Sequence, residues 1–202
     1  MAKNHFFQKG FQSYRTRLDP EPWGEVRDQV ARGTADVVVT RGEEVLLGRR
    51  AHEPQTGEWI IGGGMSPGES FEEAAARNIS RELGITVEDL ERFQYLDVYN
   101  YVWDTRAEPP EGHGCHDVSV TMVLEISDKE AKEMRFNEEY SSVSWWRPEA
   151  IISDDKLHPA LRQMARDFIE FRKSNGRKIF DLLADSVRRR LPKWVRRRST
   201  AA

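Results

Sequence analysis

The stretch from Gly63 to Ile85, GGMSPGESFEEAAARNISRELGI, constrains the fold of this chain more than any other. Gly62, Gly63 and Gly64 permit a close approach of the backbone that a side chain would block. Pro67 and Gly68 signal a turn. Ser70 stands three residues before Glu73, the spacing of a capping box. Phe71, Ala74, Ala75, Ile79 and Leu83 then recur at helical spacing as a buried stripe, and Gly84 sits where a helix closes. The pattern predicts a helix over 70–83. Glu82 lies one turn beyond Asn78, so both look back toward the glycines. A carboxylate facing a bend of carbonyls suits a hard cation. A capped surface helix with a solvated Glu82 fits the same residues.

The chain of 202 residues suits one domain with extensions. With 38% hydrophobic and 32% charged residues it reads as soluble, and no run has the length of a membrane span. The polar N-terminal segment does not read as a secretory signal. Cys115 is the only cysteine, which excludes an intrachain disulfide, and a reducing cytoplasm is the simplest expectation. The net charge of −3 is uneven, because Arg188–Arg198 holds seven basic residues and no acid. Such a tail suits an anionic partner or a solvated terminus.

Residues 1–32 read as an N-terminal extension in which Trp23 packs on the domain. Strands are expected at 35–40 and 44–49, joined by a hairpin at Arg41-Gly42. The β pattern continues over 58–61 into a glycine turn. An aromatic strand spans 92–103, a Pro- and Gly-rich loop spans 104–116, and strands follow at 117–126 and 141–146. Short helical segments are expected at 128–134 and 148–152. From His158 the period is helical through Phe171, Gly176 breaks it, and Ile179–Val187 makes a second amphipathic helix. Strands mixed with helices give an α/β class.

The Gly63–Ile85 run resembles the Nudix box. Gly63, Glu69, Arg77, Ile79, Glu82, Gly84 and Ile85 match its pattern, while Asn78 and Arg81 replace two of its acids. Leu46–Arg50, Gly57–Ile61 and the Glu139 to Trp145 spacing are similar to the family's flanking strands and distal acidic ligand. The resemblance implies an α/β/α sandwich with a mixed sheet over 33–155, followed by C-terminal helices and the basic tail over 156–202. It also implies a Mg2+ or Mn2+ ion held by the Gly63 carbonyl, Glu82 and Glu139. Glu69 and Arg77 would hold the loop to the helix.

The reduced box is most similar to the GDP-mannose mannosyl hydrolase type, with Leu46–Arg50, Pro54 and Gly57–Trp59 in support. That likeness implies hydrolysis of a nucleoside diphosphate linked to another group, a nucleotide sugar above all. Arg50 would assist the departing diphosphate. The residue after Glu139, a histidine base in that type, is Tyr140, and a neutral tyrosine is a poor base at pH 7. His113, His116 and Asp117 are the other candidates, so Arg50, Tyr140 and His116 stand as the catalytic set. Trp59, Tyr99, Tyr101 and Trp103 offer faces for a nucleobase, although aromatic strands also build cores. Trp59 and Tyr101 join Arg49 and Arg50 as substrate-binding candidates. The extensions at both ends leave room for a homodimer interface. The missing acids keep a second reading open, a nucleotide- or sugar-binding regulatory module. The tail keeps a third, an adaptor for membrane or nucleic acid.

Overall fold

Arg32–Arg41 (β1) is the central strand because its run of Val37, Val38 and Val39 is β-branched and buried on both faces. The computed structural model describes residues 5–6, 10–13 and 18–174. Helix α1 (Pro20–Gln29) precedes β1, with Pro20 at its first turn. Strands β2 (Glu44–Arg50), β3 (Gly57–Trp59) and β4 (Ile61–Gly64) lead to helix α2 (Phe71–Leu83). A 3-10 turn at Leu90–Arg92 enters β5 (Gln94–Trp103), and β6 (Cys115–Glu125) returns antiparallel to it. Helix α3 (Asp128–Glu133), strand β7 (Tyr140–Trp146), helix α4 (Pro148–Ser153) and helix α5 (Pro159–Lys173) complete the order.

The sheet runs β3-β2-β1-β6-β5, with β4 added on β1 and β7 on β2. β1 and β6 are parallel, from Arg32 opposite Asp117 to Thr40 opposite Glu125. β1 forks: Thr34–Val37 pair with β4, whereas Thr40 and Arg41 pair with β2. Strand side chains alternate between faces. Ala35, Val37 and Val39 therefore meet Ala74, Ala75, Ile79 and Leu83 of α2, while Val38, Val45 and Leu47 meet Leu161, Met164, Ala165 and Phe168 of α5. Helices thus cover both faces, as the α/β/α expectation has it, but the second layer is α5, from the segment expected as a C-terminal addition. Ile79 is fully buried, so truncation to alanine costs about 2–5 kcal/mol.

Helix α2 starts and stops where its sequence says. Ser70 and Glu73 form both bonds of the capping box, and Gly84 closes the helix at φ 66°, a left-handed conformation that favours glycine. The glycine run departs from the expected glycine turn. Gly62, Gly63 and Gly64 lie as a strand against Asp36, Ala35 and Thr34. Trp23 on α1 donates to Glu108 at 3.1 Å, which fastens the extension to the β5–β6 loop. The second amphipathic helix, Gly176 and the Arg188–Arg198 tail lie outside the described residues. Among the described residues no helix is long and apolar enough to cross a membrane.

Candidate active site

Glu82 is fully buried at the fork of the sheet and ties its branches together. Its Oε2 accepts from the Gly62 N–H on β4 at 3.3 Å and from the Tyr140 hydroxyl on β7 at 2.5 Å. The Tyr140 ring lies on Gly48 of β2, where a side-chain carbon would stand 2.3 Å from a ring atom, so only glycine fits. The other carboxylate oxygen, Oε1, takes the guanidinium of Arg81. Burial pushes the Glu82 carboxyl up, while Tyr140 and Arg81 oppose that rise.

Asn78 and Arg77 fill the space behind Glu82. The Asn78 amide donates to the carbonyls of Gly63 at 3.1 Å and Ala35 at 3.3 Å. Arg77 grips Glu69 through two bonds of 2.7 and 2.9 Å and donates to the Gly64 carbonyl and to Asn78 Oδ1, each at 2.9 Å. Glu69 in turn accepts from the Ser66 N–H at 2.8 Å, which fixes the Pro67-Gly68 turn to the helix. Fork-to-fork pairs of this kind are the stronger class of ion pair.

In front of this cluster lies a cleft of about 220 Å³. Gly62–Gly64, Thr34 and Asp36 line it from β4 and β1, and Asp117 from β6. Arg50, Arg81 and Glu139 stand at one end, and Arg50 pairs with Glu139 at 3.0 Å. Arg27 and Arg32 close on Asp117 at the other, each bonded to it at 2.9 Å. Trp59, Tyr101 and Trp103 form an aromatic wall, with Trp59 edge-on to Tyr101 and Trp103 at 5.5 and 5.6 Å. Four buried donors have no hydrogen-bond partner among the described residues and belong to this lining: Arg27 Nε, Thr34 Oγ1, Arg50 Nε and Trp103 Nε1. Buried donors are ordinarily satisfied, so their concentration at one cleft marks a place for an acceptor-rich ligand.

The NUDIX domain profile matches residues 30–168. The chain belongs to the Nudix family. Low-salt glycan biosynthesis protein Agl8 of Haloferax volcanii is 32% identical over 91 residues, 45% of this chain and 56% of that protein. Nucleoside triphosphatase NudI of Escherichia coli is 28% identical over 113 residues, 54% of this chain and 75% of that protein. The chain thus spans little more than half of Agl8. Among solved structures, MutT NUDIX hydrolase from Burkholderia pseudomallei superposes with a TM-score of 0.55 at 23% identity, covering 69% of this chain and 98% of that one. An Ap4A hydrolase from C. elegans superposes at 0.51 with 19% identity, over 71% and 99%. At these identities the likeness shows the fold.

Nudix hydrolases typically need a divalent metal, and the residues expected to hold one here are engaged otherwise. The Gly63 carbonyl is capped by Asn78, Glu82 by Gly62, Tyr140 and Arg81, and one oxygen of Glu139 pairs with Arg50. Among the described residues no three His, Cys, Asp or Glu side chains converge in a group that could hold a metal ion. A divalent ion at Glu82 would stand beside the Arg81 guanidinium and be repelled by it. The arrangement does not fit the expected Gly63–Glu82–Glu139 cation site for Mg2+ or Mn2+.

Other expected residues fall in different places. Arg50, Trp59 and Tyr101 line the cleft, as does Trp103. Arg49 points the other way, as strand alternation requires, and pairs with Glu58 at 2.9 Å, so it is not part of the cleft. His116 is a correction. It sits on β6, not on a loop, next to cleft-lining Asp117, and therefore faces the opposite side, where its ring stands 3.4 Å from Asn100 Oδ1. Tyr140 is a second correction, because burial and Glu82 push its phenol well above the ordinary range; it donates and cannot act as a base. Arg27, Arg32 and Asp36 gave no sequence signal as site residues. Arg27 sits on α1, ahead of the matched profile, and only the tertiary fold brings it to Asp117.

Proposed function

We propose that the protein hydrolyses a nucleoside diphosphate derivative, with a nucleotide sugar of GDP-mannose type as its substrate. The observation that carries this reading is the cleft with arginines at both ends, an aromatic wall and four unpaired buried donors. Guanidinium groups match diphosphate oxygens through paired N–H bonds, so Arg50 and Arg81 bind the diphosphate. Trp59, Tyr101 and Trp103 present ring edges and faces to a base or sugar. Glu139 stands beside Arg50 and takes the proton of the attacking water. The water oxygen joins phosphorus or the sugar carbon as the bond to the bridging oxygen breaks. The name of Agl8, a glycan biosynthesis protein, agrees with a sugar-linked substrate.

A panel of nucleoside diphosphate sugars and other diphosphates in oxygen-labelled water tests the reading, run with Mg2+, with Mn2+ and with chelator. Turnover is expected, with label at phosphorus or carbon naming the bond. Glu139→Gln is expected to lower kcat by about 10²–10⁴-fold with little change in KM. No turnover on any member under any condition contradicts hydrolysis. One observation favours a second reading, a binding module: Arg81 already neutralises the box glutamate. Calorimetry showing tight binding of a panel member without turnover would select it.

A further inference from the structure

Arg81 replaces a box carboxylate, yet its side chain does not leave the site. Its guanidinium bonds Glu82, and its Nη2 lies 3.1 Å from where a side-chain carbon on Gly63 would be. Glu82 bonds it directly, and Glu139 lines the same end of the cleft. Gly63, Glu82 and Glu139 are the groups among which the expected metal ion would sit. The side chain is 50% exposed and lines the cleft, so one edge faces Glu82 while the other meets solvent. Glu82 is the hydrogen-bond partner of the guanidinium among the described residues, which leaves its remaining N–H donors for a ligand.

Asn78 completes the exchange. An amide in place of a carboxylate spends its NH2 on the Gly63 and Ala35 carbonyls and its oxygen on Arg77. The Gly63 carbonyl is thereby satisfied without an ion. The replaced acids and the inserted cation act together: one negative group becomes neutral, the other becomes positive, and buried Glu82 keeps a charged partner.

We propose that Arg81 is the resident cation of this site, a guanidinium tethered by α2 in the place of a divalent metal ion, and that it meets a phosphate oxygen of the bound diphosphate. The second half rests on the substrate reading above, whereas the first does not. Guanidinium keeps its charge at every working pH and offers planar donors to phosphate, so it neutralises both Glu82 and a ligand oxygen.

The test is Mn2+ binding by electron paramagnetic resonance on the full chain, for wild type, Glu82→Gln and Arg81→Glu, with thermal melts to confirm folding. Wild type is expected to bind no more Mn2+ than Glu82→Gln. Arg81→Glu, which restores a carboxylate, is expected to gain at least about tenfold in Mn2+ affinity, the scale on which one neighbouring polar group moves metal affinity. Arg81→Gln serves the comparison if Arg81→Glu does not fold. Wild-type binding that Glu82→Gln abolishes overturns the proposal, and so does a folded Arg81 variant that gains nothing. Because metal is read directly, failure of the substrate panel would sink hydrolysis and leave this result standing.

Discussion

At the Asp117 end of the cleft, Arg27 and Arg32 close on one carboxylate, and the Arg27 and Asp117 side chains are 2% and 5% exposed. At the Glu82 end, Arg81 and Arg50 face two carboxylates, and Arg81 stands half in solvent. The parts are alike, but the surroundings differ. The first cluster joins α1, β1 and β6, elements ninety residues apart in sequence for Arg27 and Asp117. It holds the N-terminal helix to the sheet. The second joins α2, the end of β2 and the turn before β7, and its Arg81 stands open to solvent. A walled-in pair serves the fold, whereas a half-exposed guanidinium can share its charge with a ligand at small cost to stability.

The largest expected effect breaks the fixed end. Asp117→Asn leaves two arginines facing a neutral amide, and breaking such a buried pair costs about 3–5 kcal/mol. Chemical denaturation measures it, and a loss under about 1 kcal/mol would show that the Asp117 end is as exchangeable as the other.

Asp36, between the two ends, gives the next effect. Burial raises its carboxyl to about 7, with Glu82 and Asp117 adding to the rise and Ser119 and Arg32 opposing it. The folded state therefore favours the neutral acid. Its contribution to stability is full below the unfolded carboxyl range near pH 4 and is lost as pH rises through about 7. The loss is on the order of 4 kcal/mol at most. Denaturation midpoints from pH 4 to 8 measure it, and Asp36→Asn is expected to flatten the slope.

Arg81→Gln comes third. Tyr140 and Gly62 still hold Glu82, so stability is expected to fall by about 1–3 kcal/mol, less than for Asp117→Asn, while diphosphate affinity falls. A stability loss as large as that of Asp117→Asn would erase the contrast between the ends. Smallest is Arg49→Ala, whose exposed pair with Glu58 lies outside the cleft; melting and affinity are expected to stay within about 0.5 kcal/mol of wild type.

The local signals in the sequence carried far. Ser70, Glu73 and Gly84 mark α2 because caps are short-range chemistry, and the strand faces follow from alternation. Gly62–Gly64 did not read as a strand, since glycine carries no side-chain signal and its pairing with β1 is set by the fork. His116 was misplaced by a strand start two residues earlier than expected, and alternation then decided its face. Arg27 and Arg32 were illegible because ion pairs across the chain have no local period. Arg81 was visible as a missing acid, but its return to Glu82 depends on the buried carboxylate that the fold places beside it.

The most direct measurement is calorimetric titration of a nucleoside diphosphate sugar into wild type and Arg81→Gln in the presence of a chelator. Binding by wild type without divalent ions is expected, with affinity about 10–100-fold weaker in Arg81→Gln, the loss of a charge-assisted hydrogen bond. Wild-type binding that vanishes in chelator and returns with Mg2+ would contradict a guanidinium as the cation of this site.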